Sequence, residues 1–177
     1  MEYRDVFFDA YERIRQVCKQ SADGLSPEQI YYRIEPGANS IAWLIWHLSR
    51  VQDNHVSEIA GREQAWVTDG WAEKFGMEPD PSNVGFGHTP EDVDAIRPES
   101  SELLLAWNNA VIDRSQEYFK SLDSAGIDRI IDTSYDPPVS VGVRLVSVIS
   151  DNTQHAGQAR YVRGIIERVG VDGQLGG

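Results

Sequence analysis

An all-α four-helix bundle is the fold class this sequence predicts, and three observations predict it. Four long segments repeat apolar residues at three- and four-residue spacing, the mark of amphipathic helices. Alternating strand-type patterns are scarce. One long irregular connection, punctuated by Gly and Pro, separates the second long segment from the third. A chain of 177 residues, 41% apolar and 25% charged, has room for one domain with its own core. We expect a single helical domain over 1–171 and a frayed Gly-rich tail over 172–177.

The first helix is expected from about Tyr3 to Ser21, where Val6, Phe7, Ala10, Tyr11, Ile14, Val17 and Cys18 share a face. Gly24 breaks it. Ser26-Pro27-Glu28-Gln29 then opens a short helix, with Ser as cap and Pro at the first helical position. Asn39 or Ser40 caps the second long helix, Ile41 to about Ala60, which stops at Gly61. Its first half is nearly all apolar and should be buried on most sides. From Arg62 to about Pro98 the pattern is irregular, with Thr89-Pro90-Glu91-Asp92 as a further capped start. We expect this connection to lie over one end of the bundle, its aromatic residues packing down. The third long helix runs from Glu99 or Ser100 to Leu122. The fourth runs from about Ser140 to Val169, after the turn Tyr135-Asp136-Pro137-Pro138. Val143, Val146 and Tyr161 are assigned to its packed side, and Gly157 to a close helix approach.

Composition excludes several functions. A net charge of −12 opposes nucleic-acid binding, which needs a basic face. No run of about 18 apolar residues is present, so no membrane span is expected. Met-Glu-Tyr-Arg-Asp-Val lacks the basic and apolar regions of a signal peptide. The single cysteine, Cys18, cannot form an internal disulfide and fits a reducing cytoplasm. Its apolar register reads as packing rather than as a nucleophile.

The residues that could carry chemistry are few. Of four histidines, His47 and His155 fall within apolar stretches of two different long helices. Asp151 stands four residues before His155, about 40° round a helix, so the two leave one face a turn apart. Burial of an unpartnered imidazole costs about 1–3 kcal/mol, and an ionised carboxylate costs more. Two readings satisfy these groups. Two imidazoles and one carboxylate form a first-shell set for Zn, Ni, Fe or Mn, and bundle interiors hold such sites. Alternatively, Asp151 and His155 form a core hydrogen-bond pair with no metal. His55, amid Asp53, Asn54 and Glu58, reads as a surface residue. His88, in Gly85-Phe86-Gly87-His88-Thr89, reads as an exposed loop residue, and Arg144 as a surface charge. No catalytic group is assigned.

Two stretches carry a family resemblance. Asn39-Ser-Ile-Ala-Trp-Leu-Ile-Trp-His47-Leu-Ser-Arg, with Asp151-Asn-Thr-Gln-His155-Ala-Gly-Gln158, resembles the DinB/YfiT-like superfamily. It is most similar to the actinobacterial branch grouped with mycothiol-dependent enzymes. The resemblance covers nearly the whole chain. It implies a DinB-like four-helix bundle, often a homodimer, with a divalent metal (Zn or Ni) held by three histidines. His47 and His155 match two of them, and Asp151 stands where the third is expected. It further implies a low-molecular-weight thiol such as mycothiol, activated at the metal, in transferase or isomerase chemistry on a small electrophile. In that reading His47, Asp151 and His155 are the ligands, and Trp66, Trp71 and Phe86 wall the substrate pocket. The departure at Asp151 also admits a non-catalytic stress-response protein that binds a metal or small molecule at a degraded site.

Overall fold

Serine and threonine caps set the helix starts in the computed structural model, which describes residues 3–170. The expected tail at 172–177 lies outside the described residues. The Ser40 hydroxyl accepts from the Trp43 amide at 3.1 Å and opens α3 (Ile41–Ala60). Gly61, at φ +67°, closes it. Reciprocal capping boxes open α2 (Pro27–Tyr31) at Ser26 and α6 (Pro90–Asp94) at Thr89. Ser100 and Ser140 cap α7 (Ser101–Ser121) and α9 (Val141–Val169). With α1 (Tyr3–Ala22), these long helices form an all-α bundle. α1 and α3 each pack on both α7 and α9, so α1 lies diagonally across from α3.

The first ten residues of α3, Ile41 to Arg50, are all buried. One side of the helix faces the bundle, and the connection covers the other. Here the connection carries short helices, α4 (Ala65–Thr68), α5 (Trp71–Lys74) and α6. A fully buried Arg50 pins it down. Its guanidinium donates to the Asn83, Asp80 and Pro81 carbonyls and to Gln64 Oε1, and lies 5.0 Å over the Trp66 ring. Burial pushes its pKa down to about 10, with the Asp53 charge 3.5 Å away opposing that fall. The Asp53 carboxylate accepts the Ala65 and Trp66 amides at 3.0 and 2.9 Å, fixing the start of α4. An ion pair this deep persists because its remaining donors and acceptors are satisfied.

Polar side chains set the helix register inside the bundle. Gln52 on α3 donates to Ser115 Oγ on α7 at 2.8 Å. Its carbonyl accepts from Asn152 on α9, also at 2.8 Å. All three residues are buried. A parallel bond joins Asn108 on α7 to Ser49 on α3 at 3.0 Å. Sliding either helix by one turn would strand these amides in an apolar core.

Three details differ from the sequence reading. Val143, Val146 and Tyr161 are 56, 58 and 64% exposed, because α9 meets its neighbours along one face only and these residues lie off it. Gly157 is exposed, and a Cβ there would meet nothing within 4 Å, so it marks no close approach. A small ribbon precedes α9: β1 (Ile130–Asp132) pairs antiparallel with β2 (Val139–Ser140), with Ile130 opposite Ser140. Strands this short leave no alternation to read. Between α7 and β1 lies α8 (Ser124–Asp128), capped by Asp123. Cys18 is buried and its thiol is pushed up to about 12 by desolvation, which keeps it protonated and unreactive.

Replacing Gln52 by Ala should destabilise the protein by about 2 kcal/mol or more, since it leaves buried Asn152 and Ser115 without their shared partner. Urea denaturation reads the change. A loss under about 0.5 kcal/mol, the scale of an ordinary surface substitution, would contradict the register-setting role.

Candidate metal centre

His47 on α3 and Asp151 and His155 on α9 converge where the two antiparallel helices cross. One ligand-capable atom from each lies within 4.8 Å of the other two. The imidazoles of His47 and His155 stand nearly perpendicular, centroids 4.7 Å apart. Asp151 Oδ1 is 3.5 Å from His155 Nε2. The register set by Gln52 and Asn152 produces this convergence, since Asn152 directly follows Asp151.

Each imidazole is held by its other nitrogen. His47 Nδ1 faces the Val84 carbonyl, an acceptor, so Nδ1 carries the proton and donates it there. His155 Nδ1 likewise donates to Gln158 Oε1 at 2.9 Å. These bonds leave Nε2 of each ring with a free lone pair, the arrangement in which histidine binds metals. The second oxygen of Asp151 is buried and has no hydrogen-bond partner among the described residues. With both rings neutral, the imidazole lone pairs and the Asp151 carboxylate thus converge without a donor among them. Such a focus suits a cation, and nitrogen and oxygen donors in this ratio fit a divalent zinc or nickel ion.

The charges respond accordingly. Burial pushes His47 toward its neutral form, and the neighbouring His155 adds to this, outweighing the opposing Val84 bond and Asp151 charge. The Asp151 hydrogen bond raises His155 above its ordinary 6.5, with burial opposing. Burial alone would raise the Asp151 carboxyl, but its bond to His155 and the charge of that ring bring it below 3.8. Without metal, a proton on His155 serves as the cation between Nε2 and Asp151.

The wall of the site differs from the one expected. Trp43 stacks on His47 at 4.4 Å and 13° and meets His155 edge-on at 6.1 Å. Its indole N–H donates to His88 Nδ1 at 3.1 Å, and His88 Nε2 bonds Asn83 Oδ1 at 2.9 Å. His88 also stacks on Trp46 at 5.7 Å. It is therefore a half-buried packing residue, not an exposed one. Trp66, expected as a pocket wall, is 1% exposed and spent on Trp46, Phe75 and Trp107. Trp71 packs on Trp107, with Lys74 over its ring. Phe86 points into solvent, 94% exposed. Flanking glycines at φ +92° and +76° turn the chain so tightly that its ring leaves the surface. His55 and Arg144, read as surface residues, are half-buried and bonded to each other at 3.0 Å, because residue 55 falls on the α9 side of α3.

Sequence reasoning missed four contributors. Gln158 and Trp43 could be found from their places one turn from a candidate histidine. Val84 acts through its carbonyl, which no side-chain pattern reveals. Gly85 touches the site directly: a Cβ there would sit 2.8 Å from His47 Nδ1 and 2.9 Å from the Trp46 ring.

Four long helices around two imidazoles and a carboxylate define a helical-bundle protein with a candidate divalent-metal centre. The chain belongs to the mycothiol S-transferase family of DinB/YfiT-like proteins, whose profile matches residues 6–168. The fold is also similar to a crystal structure of a conserved protein from Enterococcus faecalis. The TM-score is 0.87 at 25% identity, covering 94% of this chain and 98% of that one. Comparison with curated proteins gave no match.

Gly85→Ala should cost at least about 1–2 kcal/mol from positive φ alone, and the clash with His47 and Trp46 adds to that. Denaturation and metal titration should show lowered stability and weakened metal binding together. Unchanged values would mean that the connection does not hold His47. In metal-free protein, the His155–Asp151 pair stabilises the fold most between 3.8 and 6.5. The contribution is lost as pH rises through the raised His155 pKa, and as pH falls through the lowered Asp151 pKa. NMR titration should place the His155 midpoint above 6.5, and Asp151→Asn should lower it. An unmoved midpoint would show that Asp151 is not the partner that matters.

Proposed function

We propose that this protein is a metal-dependent thiol transferase that joins mycothiol to a small electrophile, with His47, Asp151 and His155 as the metal ligands. The observation that carries the reading is the convergence of one ligand-capable atom each from His47, Asp151 and His155 within 4.8 Å of one another, with both Nδ1 atoms held outward and one buried Asp151 oxygen unpartnered among the described residues. Membership of the mycothiol S-transferase family supplies the thiol. Two imidazoles and one carboxylate leave coordination positions open, as catalytic rather than structural sites do. A divalent ion bound there supplies Lewis acidity that lowers the pKa of a thiol, so that the thiolate is present at neutral pH.

The protein's own groups then have distinct tasks. Val84 and Gln158 hold the Nδ1 protons and keep both rings in the ligating tautomer. Asp151 contributes a negative charge where the family resemblance implies a neutral imidazole. That charge strengthens cation binding and tempers the Lewis acidity felt by a thiol. Trp43 and the folded-down connection exclude water from the His47 side. The reading involves a small-molecule substrate, a low-molecular-weight thiol and one divalent metal, zinc or nickel. Among the described residues no helix is long and apolar enough to cross a membrane. A homodimer and a cytoplasmic location, implied by the resemblance and by Cys18, complete the proposal.

One observation favours a second reading, a binding protein without turnover: the carboxylate at position 151. Protein purified without a metal-affinity column should bind about one zinc or nickel per chain, and His155→Ala should abolish this. With metal at about 100 times its dissociation constant, stabilisation is about 2.7 kcal/mol, so a chelator should lower the melting temperature by roughly 5–10 °C. Cobalt-substituted protein should gain a sulfur charge-transfer band when mycothiol is added. Metal-free wild type with no chelator effect overturns the metal site. Metal and thiol binding without product from any electrophile would select the second reading.

A further inference from the structure

A cleft of about 420 Å³ opens beside the candidate metal centre and is not used by the ligand set. His55, Tyr135, Val139, Val143, Arg144 and Ser147 line it. His55 on α3 and Val143, Arg144 and Ser147 on α9 place it along the same α3–α9 contact that carries the triad. Ser147 lies one helical turn before Asp151, about 6 Å along the axis, and Arg144 about 10 Å before it. His55 lies eight residues after His47 on the opposing helix, about 12 Å along it. The cleft therefore begins one turn from the triad and runs away from it.

Its chemistry is that of a site for a neutral, hydroxyl-rich ligand. Tyr135 is 63% exposed and Val143 56%, and both line this cleft. With Val139 they offer an aromatic and apolar floor, on which the C–H face of a sugar ring packs well. Polar groups surround that floor. Arg144 donates to His55 Nδ1 at 3.0 Å, which fixes the proton of His55 on Nε2 as a further donor. The Arg144 charge is faced by Asp132 at 3.6 Å and Glu58 at 3.8 Å, with His55 also 3.8 Å from Glu58. Those carboxylates cancel the pull that an unpaired arginine would exert on an anion. What remains is a close alternation of donors (Arg144, His55) and acceptors (Asp132, Glu58), with the Tyr135 and Ser147 hydroxyls serving as either. Adjacent hydroxyls of a sugar or cyclitol present the same alternation.

We infer that this cleft is the subsite for the carbohydrate portion of mycothiol, with Tyr135 and Arg144 as its specificity-determining residues, placed so that the sulfur reaches the triad. The inference rests on the proposed thiol–metal reading but has its own readout. Mycothiol methylated on sulfur cannot ligate as a thiolate, so its binding to the zinc-loaded full chain reports the subsite alone. Calorimetry should show it binding about tenfold or more tighter than S-methyl-N-acetylcysteine, a preference of one decade in affinity. Tyr135→Ala, at an exposed turn position, and Arg144→Gln should each erase most of that preference. Metal affinity, and the cobalt band given by N-acetylcysteine, should stay unchanged in both. If the preference is absent, or survives both substitutions, the subsite is wrong while the band keeps the thiol–metal reading intact. If succinate binds wild type tightly and Arg144→Gln abolishes it, the cleft is an anion site and the inference fails. If N-acetylcysteine gives no band in wild type, the thiol–metal reading fails too, and the inference falls with it.

Discussion

A single buried amide, the side chain of Gln52, holds three helices in register, and the candidate site depends on it. It donates to Ser115 on α7 and accepts from Asn152 on α9. Apolar packing alone would let α9 slide along α3 with little loss, since hydrophobic contact is not directional. The amide is directional, and an unmade bond in the core is costly. Because Asn152 is the neighbour of Asp151, this bond also decides which residues of α9 face His47. The Arg50–Asp53 pair acts similarly on the outer side. It anchors the connection to α3 so that the Val84 carbonyl reaches His47 and Gly85 lies against it.

Much of this was legible in the sequence, for physical reasons that differ by element. The caps at Ser26, Ser40, Thr89 and Ser100 and the stop at Gly61 follow from local hydrogen bonding and positive φ, which sequence encodes directly. The convergence of His47 with Asp151 and His155 could be anticipated because buried titratable groups need partners. The connection was harder. Trp66, Trp71 and Phe86 look alike as isolated aromatics in loop sequence, yet two became packing residues and one an exposed tip. What separates them is tertiary: whether the chain folds over α3 at that point, which the buried Arg50 decides. His88 was misread for the same reason. Its partner, Trp43, lies 45 residues earlier.

The carboxylate at position 151 gives the site its particular character. It is half-buried, deprotonated in preference to its ordinary behaviour, and has one oxygen without a partner. A structural Asp–His pair would satisfy the carboxylate on both sides or leave it to solvent. Here Oδ1 lies 3.5 Å from His155 Nε2 while Oδ2 is buried without a partner among the described residues, and each imidazole is committed through Nδ1 to an outer acceptor. The outer acceptors matter as much as the ligands, because they hold the Nδ1 protons and leave Nε2 of each neutral ring free; His155 donates to Asp151 only when it takes up a second proton. The cleft with balanced charges and an exposed tyrosine lies along the same α3–α9 contact, toward the start of α9.

The central claim is that His47, Asp151 and His155 together hold one divalent ion. X-ray absorption at the zinc edge of the loaded protein measures this most directly. The account predicts a shell of nitrogen and oxygen at about 2.0–2.2 Å with outer scattering from two imidazoles. Asp151→Ala should remove one oxygen from the shell without altering the imidazole signal. A spectrum of hydrated zinc with no imidazole scattering, or zinc that leaves the wild type on desalting, would contradict it.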